Sequence, residues 1–130
     1  MEEPLAGHTI AGSGGTFVLA EWSDAGETSR ERPIAPLHLH RSEDEAWYVL
    51  EGRLGFRVGD EEMEAGPGGA VVVPAAAPHS YWNAGTARTR YLLVMGPQTA
   101  ALVEAIHAMD PFEPARLPEL FRAHDSELVV

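Results

Sequence analysis

Apolar residues in this chain fall in short runs, many alternating with polar ones, and the runs are separated by Gly, Pro, Asn and Asp. Between Thr16 and Met95 such runs occupy 16–22, 35–40, 45–50, 54–58, 70–73, 79–83 and 90–95. Runs this short, bounded by turn residues, read as strands rather than helices. Arg53–Val58 shows the pattern most clearly: Leu54, Phe56 and Val58 alternate with polar or small residues, so a strand here buries one face. Gly52 and Gly59-Asp60 supply the turns at its ends. Val71-Val72-Val73, after the turn Gly66-Pro67-Gly68-Gly69, is β-branched throughout and fits a strand packed on both faces. Many short strands in succession predict an all-β barrel or sandwich.

The rhythm changes after Gly96-Pro97. Leu102, Ala105, Ile106 and Met109 recur at helical spacing, which predicts one helix there. A second, short helix is expected from about Leu117 to Ala123, with Pro118 tolerated in its first turn. Both are expected to pack across the barrel exterior or to form a dimer contact. Residues 1–15, rich in glycine, read as a mobile arm or a lead-in to the first strand. Gly12-Ser13-Gly14-Gly15 lacks the Lys-Ser/Thr ending of a phosphate loop and is expected to be a turn. The expected organisation is a single domain over 1–130: arm 1–15, barrel 16–96 and helical tail 97–130.

Composition narrows the function. A chain of 130 residues has room for one core, so any site lies within one fold. The 9 basic and 20 acidic residues give a net charge of −11, which repels phosphate backbones and anionic lipid, so neither nucleic acid nor membrane is an expected partner. The absence of cysteine excludes thiolate catalysis and sulfur-rich metal sites, leaving His, Asp and Glu as ligands. Met1-Glu2-Glu3-Pro4 has no secretory pattern, and a cytoplasmic location is expected.

The candidate chemistry starts at Pro36-Leu37-His38-Leu39-His40. Histidines two apart on a strand project from one face and can converge on one ion. A polar turn, Arg41-Ser42-Glu43-Asp44, follows, and Glu45 opens the returning strand with its carboxylate near the same point. A third histidine, His79, begins a later strand after Pro74-Ala75-Ala76-Ala77-Pro78.

Together these segments resemble the paired motifs of the cupin superfamily. The first is His-x-His, four residues, Glu, six residues, Gly, and His38, His40, Glu45 and Gly52 match it. The second is Gly, five residues, Pro-x-Gly, two residues, His, three residues, Asn, matched at Gly68, Pro74, His79 and Asn83. Two positions depart: Arg32 and Ala76 stand where the motifs carry glycine. The Ala76 loop is expected to use a turn type without a positive φ. The resemblance implies a double-stranded β-helix, or jelly-roll, barrel holding one divalent transition metal through His38, His40, Glu45 and His79. Such a donor set suits Fe, Mn, Ni, Co, Cu or Zn and leaves coordination positions open. Glu43 and Asp44 rival Glu45 as the carboxylate, but only Glu45 keeps the spacing to Gly52, and they are expected in the turn.

Around the site, Tyr81, Trp47 and Asn83 are candidate pocket residues by strand parity, with core packing an equal reading for the aromatics and a turn-tying role for Asn83. His8, His107 and His124 lie outside the motifs and are expected to face solvent. Ser80 adjoins His79, but strand neighbours point to opposite faces, which disfavours a Ser/His hydrolase. The chain looks like small bacterial cupins similar to quercetin dioxygenase. That likeness implies a dioxygenase acting on a small aromatic or enolisable molecule, with Glu45 as ligand or base. A metal-dependent isomerase or cyclase and a non-enzymatic binding protein are the alternatives. Homodimerisation is expected by the same analogy.

Overall fold

Ten strands form two five-stranded antiparallel sheets in a computed structural model that describes residues 8–11 and 15–129. The first sheet has the order β1 (His8–Ala11), β2 (Val18–Asp24), β9 (Thr89–Met95), β4 (Glu45–Glu51), β7 (Ala70–Val73). The second has the order β10 (Ser126–Leu128), β3 (Ala35–His40), β8 (His79–Asn83), β5 (Leu54–Val58), β6 (Glu61–Ala65). From β2 to β5 the chain changes sheet at every strand, and it does so again from β6 to β9, giving the jelly-roll barrel that the strand rhythm predicts. No helix is long and apolar enough to cross a membrane among the described residues.

Alternation decides what the barrel encloses. In β9 every second residue (Thr89, Tyr91, Leu93 and Met95) is buried, and in β4 the inward set is Glu45, Trp47 and Val49. Phe56 and Leu54 of β5 meet them from the opposite sheet, so the aromatic core is Trp47, Phe56, Tyr81 and Tyr91. Parity puts Glu45 on the same inward face as Trp47, which delivers a carboxylate to the barrel interior. Gly52, whose φ is +79°, closes the β4–β5 turn where a Cβ would lie 2.5 Å from Thr89 Oγ1 and 2.7 Å from Arg88 O. Only glycine satisfies both the dihedral and the contact.

Three strands escape the sequence pattern. β1 falls within the segment expected as an arm. β6 is Glu61-Glu62-Met63-Glu64-Ala65, an acidic edge strand recruited by the tight Gly59-Asp60 turn rather than by its own propensity. β10 is only three residues long, and it returns the tail to the barrel by pairing Ser126 with His40.

The helices are correctly placed in sequence, α1 at Pro97–Ala108 and α2 at Leu117–Ala123, but not in space. They do not pack on the barrel exterior: with the loop between them they close one end of the barrel, burying Leu102 and Phe121. An apolar stripe needs a partner, and the open barrel mouth provides one.

Ala76 also corrects an expectation. Its φ is 70°, so the loop keeps the left-handed residue that the motif fills with glycine. For an L-residue this costs ~1–2 kcal/mol. Ala76→Gly is therefore expected to stabilise the fold by up to about 1 kcal/mol after the unfolded-state entropy of glycine is subtracted. Thermal unfolding should report a midpoint a few degrees higher, and a lower midpoint would contradict the strain.

Candidate metal centre

β3 and β8 pair in the register that sets His38 opposite His79, and β3 parity brings His40 to the same interior side. Glu45 enters from β4 of the other sheet. The ligand atoms of His38, His40, Glu45 and His79 all lie within 4.8 Å of one another, and all four residues are buried. The structure thus unites the four residues that the motif spacing selects, and the cluster can hold one metal ion.

The hydrogen bonds around the rings fix which nitrogen faces the centre. His38 Nδ1 lies 2.6 Å from Pro36 O and His79 Nδ1 2.9 Å from Ala77 O, so each donates outward to a carbonyl. His40 Nδ1 is 2.7 Å from Ser126 Oγ, whose own proton goes to His124 O at 3.0 Å. Ser126 therefore accepts from His40. Each neutral ring then carries its proton on Nδ1 and turns an Nε2 lone pair inward, the arrangement a metal requires.

The donor set fits a cation. Glu45 Oε1 is 3.1 Å from both His40 Nε2 and His79 Nε2. The His40 contact does not have hydrogen-bond geometry, and His40 Nε2 is buried without a hydrogen-bond partner among the described residues. Lone pairs that close to a carboxylate oxygen repel unless a proton or a cation sits between them. Burial disfavours the ionised Glu45, but the imidazoles beside it, His40 in close approach and His79 in hydrogen-bond contact, outweigh it and hold its pKa at about 2. Burial, reinforced by the neighbouring imidazoles of His79 and His40, pushes His38 down to about 3, so it stays a neutral donor. Three imidazole nitrogens and one carboxylate suit a first-row transition ion, whereas Ca or Mg prefers oxygen.

Beside the cluster lies a cavity of about 530 Å³. Trp22, Ile34 and Leu93 from the barrel and Leu102, Val103, Ile106 and Phe121 from the helical segment make most of its wall, and His38, His40 and Glu45 line it too. Its remaining polar side chains are Tyr81, Thr99 and His107. Tyr81 shares a 3.0 Å hydroxyl contact with Tyr91, and burial raises both phenols, so they stay protonated. None of the nine basic residues, all arginine, reaches the cavity wall.

The other candidate residues fall in different places. Trp47 does not line the cavity; it lies beneath the cluster, its ring 5.8 Å from His79 and 5.2 Å from Tyr81. Asn83 is also outside the wall: its amide donates to Ala87 O at 2.8 Å and its carbonyl accepts from Gly85 N at 2.9 Å, tying down the turn. Asp44 stays in its loop and accepts from Ala75 N. His107 is exposed, as expected, and its ring also borders the cavity, 5.8 Å from Trp22. His8 is described only as backbone in β1, and His124 caps α2. Sequence reasoning missed Ser126, because nothing local marks a serine that supports a histidine 86 residues away.

Comparison with known proteins agrees with this arrangement. A protein of Thermus thermophilus of known structure is 29% identical, superposes with a TM-score of 0.58, and the match covers 71% of this chain and 82% of that one. A sugar phosphate isomerase from Silicibacter pomeroyi, itself a cupin, is 24% identical with a TM-score of 0.53 over 63% of this chain and 51% of its own. An uncharacterised protein of Methanocaldococcus jannaschii is 31% identical over 61 residues, 47% of this chain and 49% of that protein, so the chain spans about half the length of this relative. The family described as Cupin domain matches residues 30–95, the stretch carrying all four clustered side chains. With that match laid over the barrel and its buried His/Glu cluster, the chain belongs to the cupin superfamily.

Proposed function

We propose that this cupin binds one divalent transition metal through His38, His40, Glu45 and His79 and acts as a dioxygenase on a small aromatic or enolisable molecule. The observation that carries the reading is a ligand cluster that opens into an apolar cavity with no arginine in its wall. A bound ion would offer a Lewis-acidic site to one oxygen of the substrate and, if redox-active, a means of engaging O2. The protein's part is to seat an apolar body against Trp22, Leu93 and Phe121 and to keep water from the reacting atoms. Tyr81, a neutral phenol at the wall, serves as a hydrogen-bonding contact for the substrate. A carboxyl with a pKa near about 2 is a weak base, which favours Glu45 as a ligand over Glu45 as the proton acceptor.

The resemblance in fold to a sugar phosphate isomerase does not carry its activity here, since a phosphate would enter this cavity without meeting a cationic side chain. The test is oxygen uptake by protein loaded with Fe, Mn, Ni or Co in the presence of a panel of enolisable phenols, including a flavonol. Metal-dependent uptake is expected. Turnover that persists without O2 would favour the isomerase or cyclase reading, and tight ligand binding without turnover the non-enzymatic one.

The dimer expected from sequence has one supporting surface. Leu19, Val94, Ala46 and Val72 form a single cross-strand row on the first sheet, and Val72 and Tyr48 are exposed there. In a chain of net charge −11 this row of uncharged side chains lets two copies meet without bringing like charges of the row together. Light scattering is expected to give twice the 14.0 kDa chain mass, and a monomer would refute the pairing.

A further inference from the structure

Both ends of the helical segment over the cavity are hydrogen-bonded to the short stretch of chain that carries His40 and Glu45. At the start of α1, Glu43 accepts from Gln98 N at 2.9 Å, from Thr99 N at 2.8 Å and from Thr99 Oγ1 at 2.8 Å. Gly96 leaves room for this carboxylate, because a Cβ there would stand 2.2 Å from Glu43 Cδ. At the end of α2, Ser126 bridges His40 Nδ1 and His124 O, and Arg41 N donates to Asp125 O at 2.8 Å. Between the two ends, the buried Phe121 ring meets His38 edge-on with centroids 5.5 Å apart. The roof thus touches His38 and His40 themselves and grips the loop that leads into Glu45.

We propose that roof and ligand loop form one coupled unit, in which occupation of the cluster by a divalent ion steadies the closed helical roof, with Ser126 and Glu43 as the positioning residues that transmit the effect. The inference rests on the metal-binding reading above. An ion fixes the His40 ring, the ring fixes Ser126, and Ser126 holds the carbonyl of His124, the residue that caps α2. Glu43, two residues before the ligand Glu45, accepts from the first free N–H groups of α1, where a carboxylate is favoured by unpaired donors and helix dipole alike. Coupling is reciprocal, so whatever steadies the roof raises metal affinity. An apolar molecule lying between roof and cluster therefore binds better to the metal-loaded protein and retains the metal in turn.

The experiment pairs Ni²⁺ titration calorimetry with hydrogen exchange across Pro97–Ala108 and Leu117–Ala123, with and without Ni²⁺. In the wild-type protein Ni²⁺ is expected to slow exchange in both helices. Ser126→Ala should weaken Ni²⁺ binding by about 10- to 100-fold, the usual effect of losing the partner of a ligating histidine, and remove the protection gained by α2. Glu43→Ala, which removes no ligand atom, should loosen α1 and weaken Ni²⁺ binding several-fold. Thr99→Val, a near-isosteric change that takes away one of the three bonds to Glu43, should act in the same direction to a smaller extent. Identical helix exchange with and without Ni²⁺, or wild-type Ni²⁺ affinity in Glu43→Ala, overturns the coupling while leaving the metal site intact. Failure of the wild-type protein to take up Ni²⁺, Co²⁺ or Zn²⁺ overturns the metal reading itself, and the coupling with it.

Discussion

Untagged protein carrying His79→Ala is expected to purify without stoichiometric metal, against about one ion per chain for the wild type, when both are measured by elemental analysis. His79 contributes its inward Nε2 from a side chain that is almost wholly buried, and no other described nitrogen stands ready to replace it. Losing an outer partner of a ligating histidine costs about 10- to 100-fold in affinity, so losing the ligand itself should exceed that range. The same substitution removes one of the two histidines that hold the Glu45 carboxyl low, which weakens the remaining set further. A thermal readout should agree. At an ion concentration ~1,000 times the dissociation constant, binding adds about 4 kcal/mol to the folded state, so chelation should lower the wild-type midpoint by several degrees. His79→Ala should show no such drop, and unchanged metal content in the variant would sink the assignment.

The second large effect belongs to Trp47. At 1% exposure it packs edge-on against Phe56 and lies against Tyr81 and His79, which makes it the floor under the cluster. Replacing a fully buried tryptophan by alanine costs about 3–5 kcal/mol, a large share of the ~5–15 kcal/mol that keeps a domain folded. Trp47→Ala should therefore move the urea midpoint of metal-free protein strongly downward, and Trp47→Phe should recover part of the loss. A tryptophan acting as a substrate contact predicts the opposite pattern, with stability kept and ligand affinity lost. Denaturation of the two variants beside the wild type decides between these roles.

How much of this was legible beforehand follows the strength of local signals. The strands at 35–40, 54–58, 70–73 and 79–83 have the predicted bounds, but β7, expected to be packed on both faces, is half-buried with Val72 exposed, because only one face of the first sheet is covered. β6 carries no such local signal: three of its five residues are glutamates, and its place is set by its neighbour β5 through a tight turn. The helices announce a buried face but not what buries it, so their position over the barrel mouth could not be read. At the site, parity selects His38 and His40, and spacing to Gly52 selects Glu45 over two acidic neighbours. The third element, the set of acceptors that orient the rings, is tertiary and invisible until β10 meets β3. The loop at Ala76 erred for a related reason, since the sequence names the residue but the surrounding register dictates its φ.

Those acceptors differ in kind, and the difference bears on how the protein can fail genetically. His38 and His79 are oriented by the carbonyls of Pro36 and Ala77, which survive side-chain changes at those positions as long as the backbone keeps its path. His40 alone is oriented by a side chain, the hydroxyl of Ser126, contributed by a three-residue strand near the end of the chain. Mutational risk to the ring orientations is therefore concentrated far from the motifs. A single codon change at position 126 would leave all four ligands in the sequence and still misalign one of them.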